Sequence, residues 1–561
     1  MAKKSTKPTG NTTISSDYLV YLSTIPFLLP LLYCLYKNSM TYTGGWYVSW
    51  SIAFILLLTI CFKPILLKLD QLVFSNKSLM VFFGLVLASF SYSTISKYLA
   101  FYTPSRDPGI FFSMIQAMLA GNFGFSSVAG IYHFGTHQNY ILILLAPFYA
   151  IFGSPIFLQF IGGAATWGAG IVLWKITRLY FNQFIALCCV VAFYASPSNH
   201  FYGFRPELFY PLALFLLYYA CVTQNKLIYI ILATLFLLSV KEDAPLYIPG
   251  YIYLLCRKKD YKAALTVVVM AIATVLLNIL IIQPYFVHKS GQQVADTLGF
   301  FNQWGANNHE IILNLLTSPL KIISLFFDSN SGFWYTFGFW LFIPLLSPFL
   351  LLSAVLPLIL FNISNVMRMH VLSEYYAITP SALAYLGVVC GLHTISCRVN
   401  KNLRRYLSIA IVFLFLIHNL LFVRFMDLMQ IDYSQLNSDQ KFALFTSAPM
   451  SRGRWQEFFP VNSQDAEDFN KLRQSLEDNY KDSRICPTSQ VYPHLDYRDF
   501  PQLQPFGGEN ANQSNCVNVF AIIGDIWPIS PDNLRNQIIT MTQTEKCNRF
   551  GNFFYCDNLA K

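Results

Sequence analysis

The stretch NYILILLAPFYAIFG, from Asn139 to Gly153, decides the direction of every apolar run that follows it. Counted as a crossing of a bilayer, it reverses all later helices. The positive-inside rule arbitrates, because short cytoplasmic loops of a membrane protein hold the excess of Lys and Arg. Read as a surface-lying or re-entrant helix, Asn139–Gly153 leaves seventeen bases inside, including the clusters Arg257, Lys258, Lys259, Lys262 and Arg398, Lys401, Arg404, Arg405. The outer loops, though longer in total, then hold Lys37, Arg106, Arg205, Lys241, Lys289, Lys321 and Arg368. The crossing reading would export both clusters, so the surface reading is the one adopted.

Around this stretch lie thirteen apolar runs, near residues 18–36, 46–68, 78–99, 155–174, 183–199, 208–223, 227–241, 243–256, 262–283, 333–347, 349–364, 376–395 and 406–424. The composition agrees with a polytopic helical membrane protein. Of 561 residues, 55% are hydrophobic and 12% charged, about half the charged share of a soluble domain, which excludes a soluble enzyme. The net charge of +10 sits in short clusters between apolar runs, the pattern of cytoplasmic loops rather than of a nucleic-acid-binding face. With the N-terminus cytoplasmic, an odd number of spans sends residues 425–561 outside. The expected domains are 1–77, a tail and two extra spans; 78–424, the transmembrane domain with outer loop 100–139; and 425–561, an extracytoplasmic α/β domain. Strand-like runs in that last part are Val517–Ile523 and Asn552–Cys556. It also holds Cys486, Cys516, Cys547 and Cys556, an even number for an oxidising compartment. Cys547 and Cys556 flank a turn-like Asn548–Asn552 and are paired with each other, leaving Cys486 to Cys516. No cleavable signal pattern follows the N-terminus.

The topology places the polar chemistry on one side. Asp107, Glu207, Glu242 and Asp243 fall outside or at the outer membrane edge, as do His133, His137 and His370. Arg106-Asp107-Pro108-Gly109 reads either as a turn or as a carboxylate held near the bilayer surface, able to take a proton from an acceptor hydroxyl, with an amphipathic interfacial stretch from Ile110 to Ala120 behind it. Arg205-Pro206-Glu207 reads as a pair capping two helix ends. Lys241-Glu242-Asp243 interrupts the apolar stretch Leu227–Leu255, and charges at a membrane edge tend to mark function. Arg368 and His370 are candidates to meet a phosphate. His133 and His137 stand four apart, which leaves a divalent metal open. No phosphate-cradling loop, paired-Cys metal motif or serine elbow is present. An ATP-driven pump is therefore disfavoured, and an activated substrate would arrive already in the membrane.

The order and spacing of Asp107-Pro108-Gly109-Ile110-Phe111, Gly121–Phe125, His137 with Leu145-Ala146-Pro147-Phe148-Tyr149, Gly203-Phe204-Arg205-Pro206-Glu207 and Lys241-Glu242-Asp243 resemble a bacterial membrane-protein family, domain of unknown function 2079. That family is related to the GT-C class of polyprenyl-phosphate-sugar-dependent glycosyltransferases. Weaker similarity continues through Tyr376–Pro380 and Tyr492-Pro493-His494-Leu495 with Arg498. The resemblance implies an acidic residue in the first outer loop acting as base or metal-linked carboxylate, surface-lying helices after it, and a soluble outer domain. Carried over by position, Asp107 is the catalytic candidate and Glu207 a second acid. Arg106, His133, His137, Arg205, Lys241, Glu242, Asp243, Arg368 and His370 are substrate-binding candidates. The family usually has His where this chain has Arg205, and residues 1–77 fall outside the match.

Three function classes follow. The first is a glycosyltransferase of the bacterial cytoplasmic (inner) membrane, its C-terminal domain periplasmic. It would take a sugar from a lipid-phosphate donor to a glycan, lipid or protein acceptor, with membrane lipids as further partners and no nucleic acid. The second is a transporter or flippase relaying protons through Glu207, Glu242 and Asp243. The third is a non-catalytic envelope assembly or binding protein.

Overall fold

The computed structural model describes residues 14–15, 17–37, 72–99, 101, 107–196, 203–223, 226–291, 301, 303–305, 308–327, 331–364, 375–400, 407–408, 410–412, 414–415, 463–487, 491, 494–495, 499–500, 517–521 and 547–557. Most of these are helical. Among the described residues, five helices are long and apolar enough to cross a membrane: Asn76–Ser96, Pro155–Arg178, Pro206–Thr223, Tyr261–Lys289 and Ile378–Arg398. Shorter apolar helices cover Ile141–Phe152, Gln183–Tyr194, Leu227–Val240 and Pro348–Asn362. Their ends follow from local chemistry. Ser154 accepts the Ile156 N–H, Asn182 that of Ile185 and Asp260 that of Ala263, each replacing a bond that the first helical turn lacks.

The decisive stretch forms the helix Ile141–Phe152, closed by Gly153 at φ 64°. Its 12 residues rise about 18 Å, well short of a hydrocarbon core of about 30 Å. Leu142, Leu145 and Tyr149 are buried on one face, while Leu144, Phe148 and Ile151 are exposed on the other.

Two expectations change. The segment after Asp107 is the helix Asp107–Leu119, and it is enclosed rather than laid on an interface. Nine of its residues, from Pro108 to Ala117, are buried, because its surface is apolar nearly all round and so has no polar face to turn outward. The run at 333–347 is not one helix. It breaks into Gly332–Thr336, Gly338–Trp340 and Ile343–Leu346, with Leu341 and Phe342 at positive φ and Pro344 unable to donate into a continuing helix. The pair His309–Thr317 and Pro319–Phe326, bent by 82°, is helical where no run was read. Residues 46–68 lie outside the described residues, as does part of the run at 406–424.

The Pro155–Arg178 helix sits at the centre, against Asn76–Leu99, Gln183–Tyr194 and Tyr210–Thr223. At Gly163 a Cβ would stand 3.3 Å from the Phe90 backbone, so the small residue permits the close crossing that membrane helices favour. One apolar core runs from Leu19 to Phe415. By contrast, the Tyr261–Lys289 helix leaves Leu265, Val269, Ile272, Leu276, Ile279 and Leu280 exposed, a continuous apolar face that suits lipid and not water.

At the C-terminal end, the helix Ser463–Tyr480 packs on a four-stranded sheet in the order Ile485–Pro487, Val517–Ala521, Phe553–Asp557, Cys547–Phe550. The last two strands form a hairpin around Gly551 (φ 58°), with Cys547 opposite Cys556. These two cysteines are disulfide-bonded, their Cα atoms 4.2 Å apart. Cys486 is disulfide-bonded as well, and Cys516 lies outside the described residues. Phe101 and Val128 share the module's hydrophobic core with Phe469, Leu472, Val517 and Phe553. The module therefore rests on Phe101 and Val128, which flank the Asp107–Leu119 helix in sequence, with Ile110 of that helix packed against the same core.

Candidate functional site

Three charged segments far apart in sequence meet at one end of the helices. The first is the start of the Asp107–Leu119 helix, where a carboxylate is favoured by the helix dipole. The second is Gly203–Phe209. Arg205 there is extended (φ −147°, ψ 144°) and precedes a tight turn, Pro206–Phe209. A Cβ at residue 203 would stand 2.9 Å from the Pro108 ring. Glycine thus lets this segment press against the helix start, and Arg205 Nη2 bonds Asp107 Oδ2. The pair is asymmetric: the Arg205 side chain is 10% exposed and that of Asp107 33%.

The third segment is the break after the Leu227–Val240 helix. Lys241, extended at φ −163°, turns its ammonium inward to Glu207 Oε1 at 3.0 Å, both side chains being buried. Glu207 Oε2 has no hydrogen-bond partner among the described residues. Lys241 Nζ also stands 5.6 Å from the centre of the Tyr376 ring, within cation–π range. Glu242 faces the other way. Its Oε1 is 2.7 Å from His137 Nδ1, and its Oε2 accepts the Gln138 N–H at 3.1 Å. Burial alone would raise this carboxyl, but His137 outweighs it and holds Glu242 down to about 2. Asp243 accepts from the Tyr210 hydroxyl, and from Tyr247 at 3.2 Å.

The His133–Asn139 segment is clamped to that break, since Asn139 Nδ2 also donates to the Val240 carbonyl at 2.9 Å. His133 is buried edge-on to Phe111, its ring centre 5.4 Å from that of His137. Burial, then the neighbouring His137, pushes it down to about 3, so it is a neutral imidazole near pH 7. Its Nε2 has no hydrogen-bond partner among the described residues.

Of the residues singled out from sequence, Asp107, Arg205, Glu207, Lys241, Glu242, Asp243, His133 and His137 gather here. Arg106, Arg368 and His370 lie outside the described residues. Sequence reading missed Tyr210, Tyr247 and Gln159. Tyr247 stands four residues after Asp243, a helical spacing that could have found it. Gln159 is a lone amide in an apolar span, a signal in itself. Buried, with neither side-chain polar atom bonded among the described residues, it lies 3.8 Å from where a Cβ on Gly203 would stand. No three His, Cys, Asp or Glu side chains are grouped to hold a metal ion among the described residues.

No curated protein matches the chain. Among solved structures, the chain is similar to ArnT from Cupriavidus metallidurans in the apo state, with 11% identity, 81% of this chain and 93% of that one covered, and a TM-score of 0.39. The same protein bound to undecaprenyl phosphate gives 10%, 87%, 99% and 0.40. The sequence profile of a family of predicted membrane proteins, DUF2079, matches residues 97–443, more than half of the chain and every residue of the cluster just described. The chain belongs to that family.

Proposed function

We propose that the protein is a GT-C-type glycosyltransferase of the bacterial cytoplasmic membrane, moving a sugar from a polyprenyl-phosphate-linked donor to an acceptor hydroxyl on the outer face. The observation that carries this reading is the half-open Asp107–Arg205 pair, set beside a second pair, Lys241–Glu207, that is closed. In the resting site Arg205 neutralises Asp107. When the donor phosphate enters, Arg205 turns to it, and the carboxylate regains its basicity. Asp107 then takes the proton of the acceptor hydroxyl, and the acceptor oxygen attacks the anomeric carbon. The bond from that carbon to the phosphate oxygen breaks with its electron pair going to the phosphate, whose growing charge Arg205 meets. Glu207 and Lys241 hold the segment that carries Arg205, and His133 and His137 line the sugar's path. The lipid-linked sugar is the donor substrate.

The topology proposed alongside has the N-terminus cytoplasmic and residues 425–561 as a periplasmic domain after a transmembrane domain over 78–424. It is supported by the packing of Phe101 and Val128 into the C-terminal core. That contact puts the loop that holds Phe101 and Val128 and the C-terminal module on one side of the helices. Acids gathered at one end of the helices favour the transferase over a transporter, which needs access from both faces. The test is Asp107→Asn in membranes given a radiolabelled lipid-linked sugar. Loss of transfer is expected, and undiminished transfer would remove Asp107 from the mechanism.

A further inference from the structure

Where the C-terminal module meets the rest of the chain, the two border a half-open cavity of 280 Å³. Its walls include Tyr98, Phe101 and Gln116 on one side and Asn470, Arg473 and His494 on the other. Gln116 is nine residues along the Asp107–Leu119 helix from Asp107, so the cavity lies about 13 Å down the helix axis from that carboxylate. It is a separate place from the charged cluster.

The lining selects its ligand by charge. None of the described lining side chains is a carboxylate, so a cation finds no counter-charge. Arg473 is held by Glu477 at 2.8 Å and Asp499 at 2.6 Å, so an anion finds a guanidinium already neutralised. What remains is aromatic surface and the amide of Asn470, since Gln116 Nε2 already donates to the Tyr149 hydroxyl at 3.1 Å. Tyr98 and Phe101 stack on His494 with ring centres 4.2 and 4.0 Å away. Two rings at such distances cannot share one face, so they cover both, and only the edge of the imidazole is left to line the cavity. His494 Nε2 is buried with no hydrogen-bond partner among the described residues. Burial pushes this imidazole down to about 3; it is therefore neutral and seeks a hydroxyl rather than a charge. Flat apolar faces beside amide and imidazole groups match a sugar ring, which presents C–H faces and a rim of hydroxyls. The volume is at the small end of ligand sites and suits one ring rather than a chain.

We propose that this cavity is a carbohydrate seat for one neutral sugar unit, with Asn470 and the imidazole edge of His494 reading its hydroxyls. That the unit belongs to the acceptor rests on the transferase reading above; the seat itself does not. The full-length protein in detergent is titrated with glucose, galactose and N-acetylglucosamine by saturation-transfer NMR, with inorganic phosphate as competitor. At least one sugar is expected to bind without displacement by phosphate. Asn470→Ala, at an exposed helix position, weakens it roughly fivefold, the effect of one hydrogen bond. Ala466→Trp, which fills the cavity from the same exposed face, abolishes it. Failure of all three sugars to bind, displacement by phosphate, or wild-type binding in both variants overturns the proposal. Asp107→Asn separates the two readings. Loss of sugar binding there, with Asn470→Ala unaffected, moves the sugar to the charged cluster and overturns the seat alone. Intact sugar binding with undiminished transfer in Asp107→Asn overturns the transferase alone.

Discussion

The Asp107–Arg205 and Lys241–Glu207 pairs are built from neighbouring residues, since Arg205 and Glu207 flank one proline, yet they have opposite surroundings. Asp107 is 33% exposed and Glu207 only 8%. In the closed pair, two desolvated charges depend on each other, and an ammonium also rests near an aromatic ring. In the open pair, water or a substrate can reach the carboxylate and compete for the guanidinium. A short segment can thus carry a fixed anchor and an exchangeable arm two residues apart, and burial decides which is which.

The sharpest way to break this comparison is to remove one member of the closed pair. Lys241→Met leaves Glu207 buried without its cation and is expected to cost about 3–5 kcal/mol, read as loss of folded yield or as a lower unfolding midpoint in detergent. Adding Glu207→Leu should recover most of that, because an apolar pair of similar size replaces a buried ion pair without an orphaned charge. A double variant as unstable as the single one would mean that the pair is not the source. Asp107→Asn should behave in the opposite way. Its stability changes by under about 1 kcal/mol, since a part-exposed ion pair contributes little, while transfer falls about 100-fold or more if a general base is lost. A large drop in stability with transfer preserved would make the open pair the structural one.

The contrast between the pairs could be read only in part from sequence. Lys241-Glu242-Asp243 announces itself by interrupting an apolar stretch, and Asp107 by standing before Pro-Gly. That Arg205 meets Asp107, across 98 positions, depends on Gly203 pressing against Pro108, and such a contact has no local signature. The same holds for Tyr98 and Phe101 closing on His494, nearly 400 residues away. The run at 333–347 was misread because its apolar composition is that of a helix, while Gly338 and Pro344 break it locally. Ile110–Ala120 reads as an amphipathic interfacial stretch, whereas the apolar residues of the Asp107–Leu119 helix run round all sides.

Acid separates the contribution of His133 from that of Glu242. His133 is held down to about 3 from an ordinary 6.5. Its folded form therefore binds a proton later than its unfolded form, and the stability this gives is full above pH 6.5 and lost as pH falls toward 3. Glu242, held to about 2 from 4.5, loses its contribution lower, between pH 4.5 and 2. His133→Gln should accordingly lessen the fall in thermal stability between pH 7 and 5, by on the order of 1 kcal/mol, and leave the fall below pH 3 as it is. His137→Ala should act mainly on the lower limb. Equal acid sensitivity of wild type and His133→Gln between pH 7 and 5 would show that burial of this imidazole is not what the native state resists.

The smallest effect concerns Tyr376, whose ring lies 5.6 Å from Lys241 Nζ. If the ring face helps to hold the ammonium in place of water, Tyr376→Phe keeps that attraction and Tyr376→Leu removes it, at about 1 kcal/mol for a desolvated cation. The two variants are nearly equal in apolar burial, so the difference between them isolates the ring. It should vanish in the Lys241→Met, Glu207→Leu background, where no cation remains for the ring to face. A Tyr376→Phe variant as unstable as Tyr376→Leu would assign the effect to the hydroxyl instead. The closed pair would then be held by Glu207 and burial alone, and the difference between the two pairs would reduce to solvent exposure.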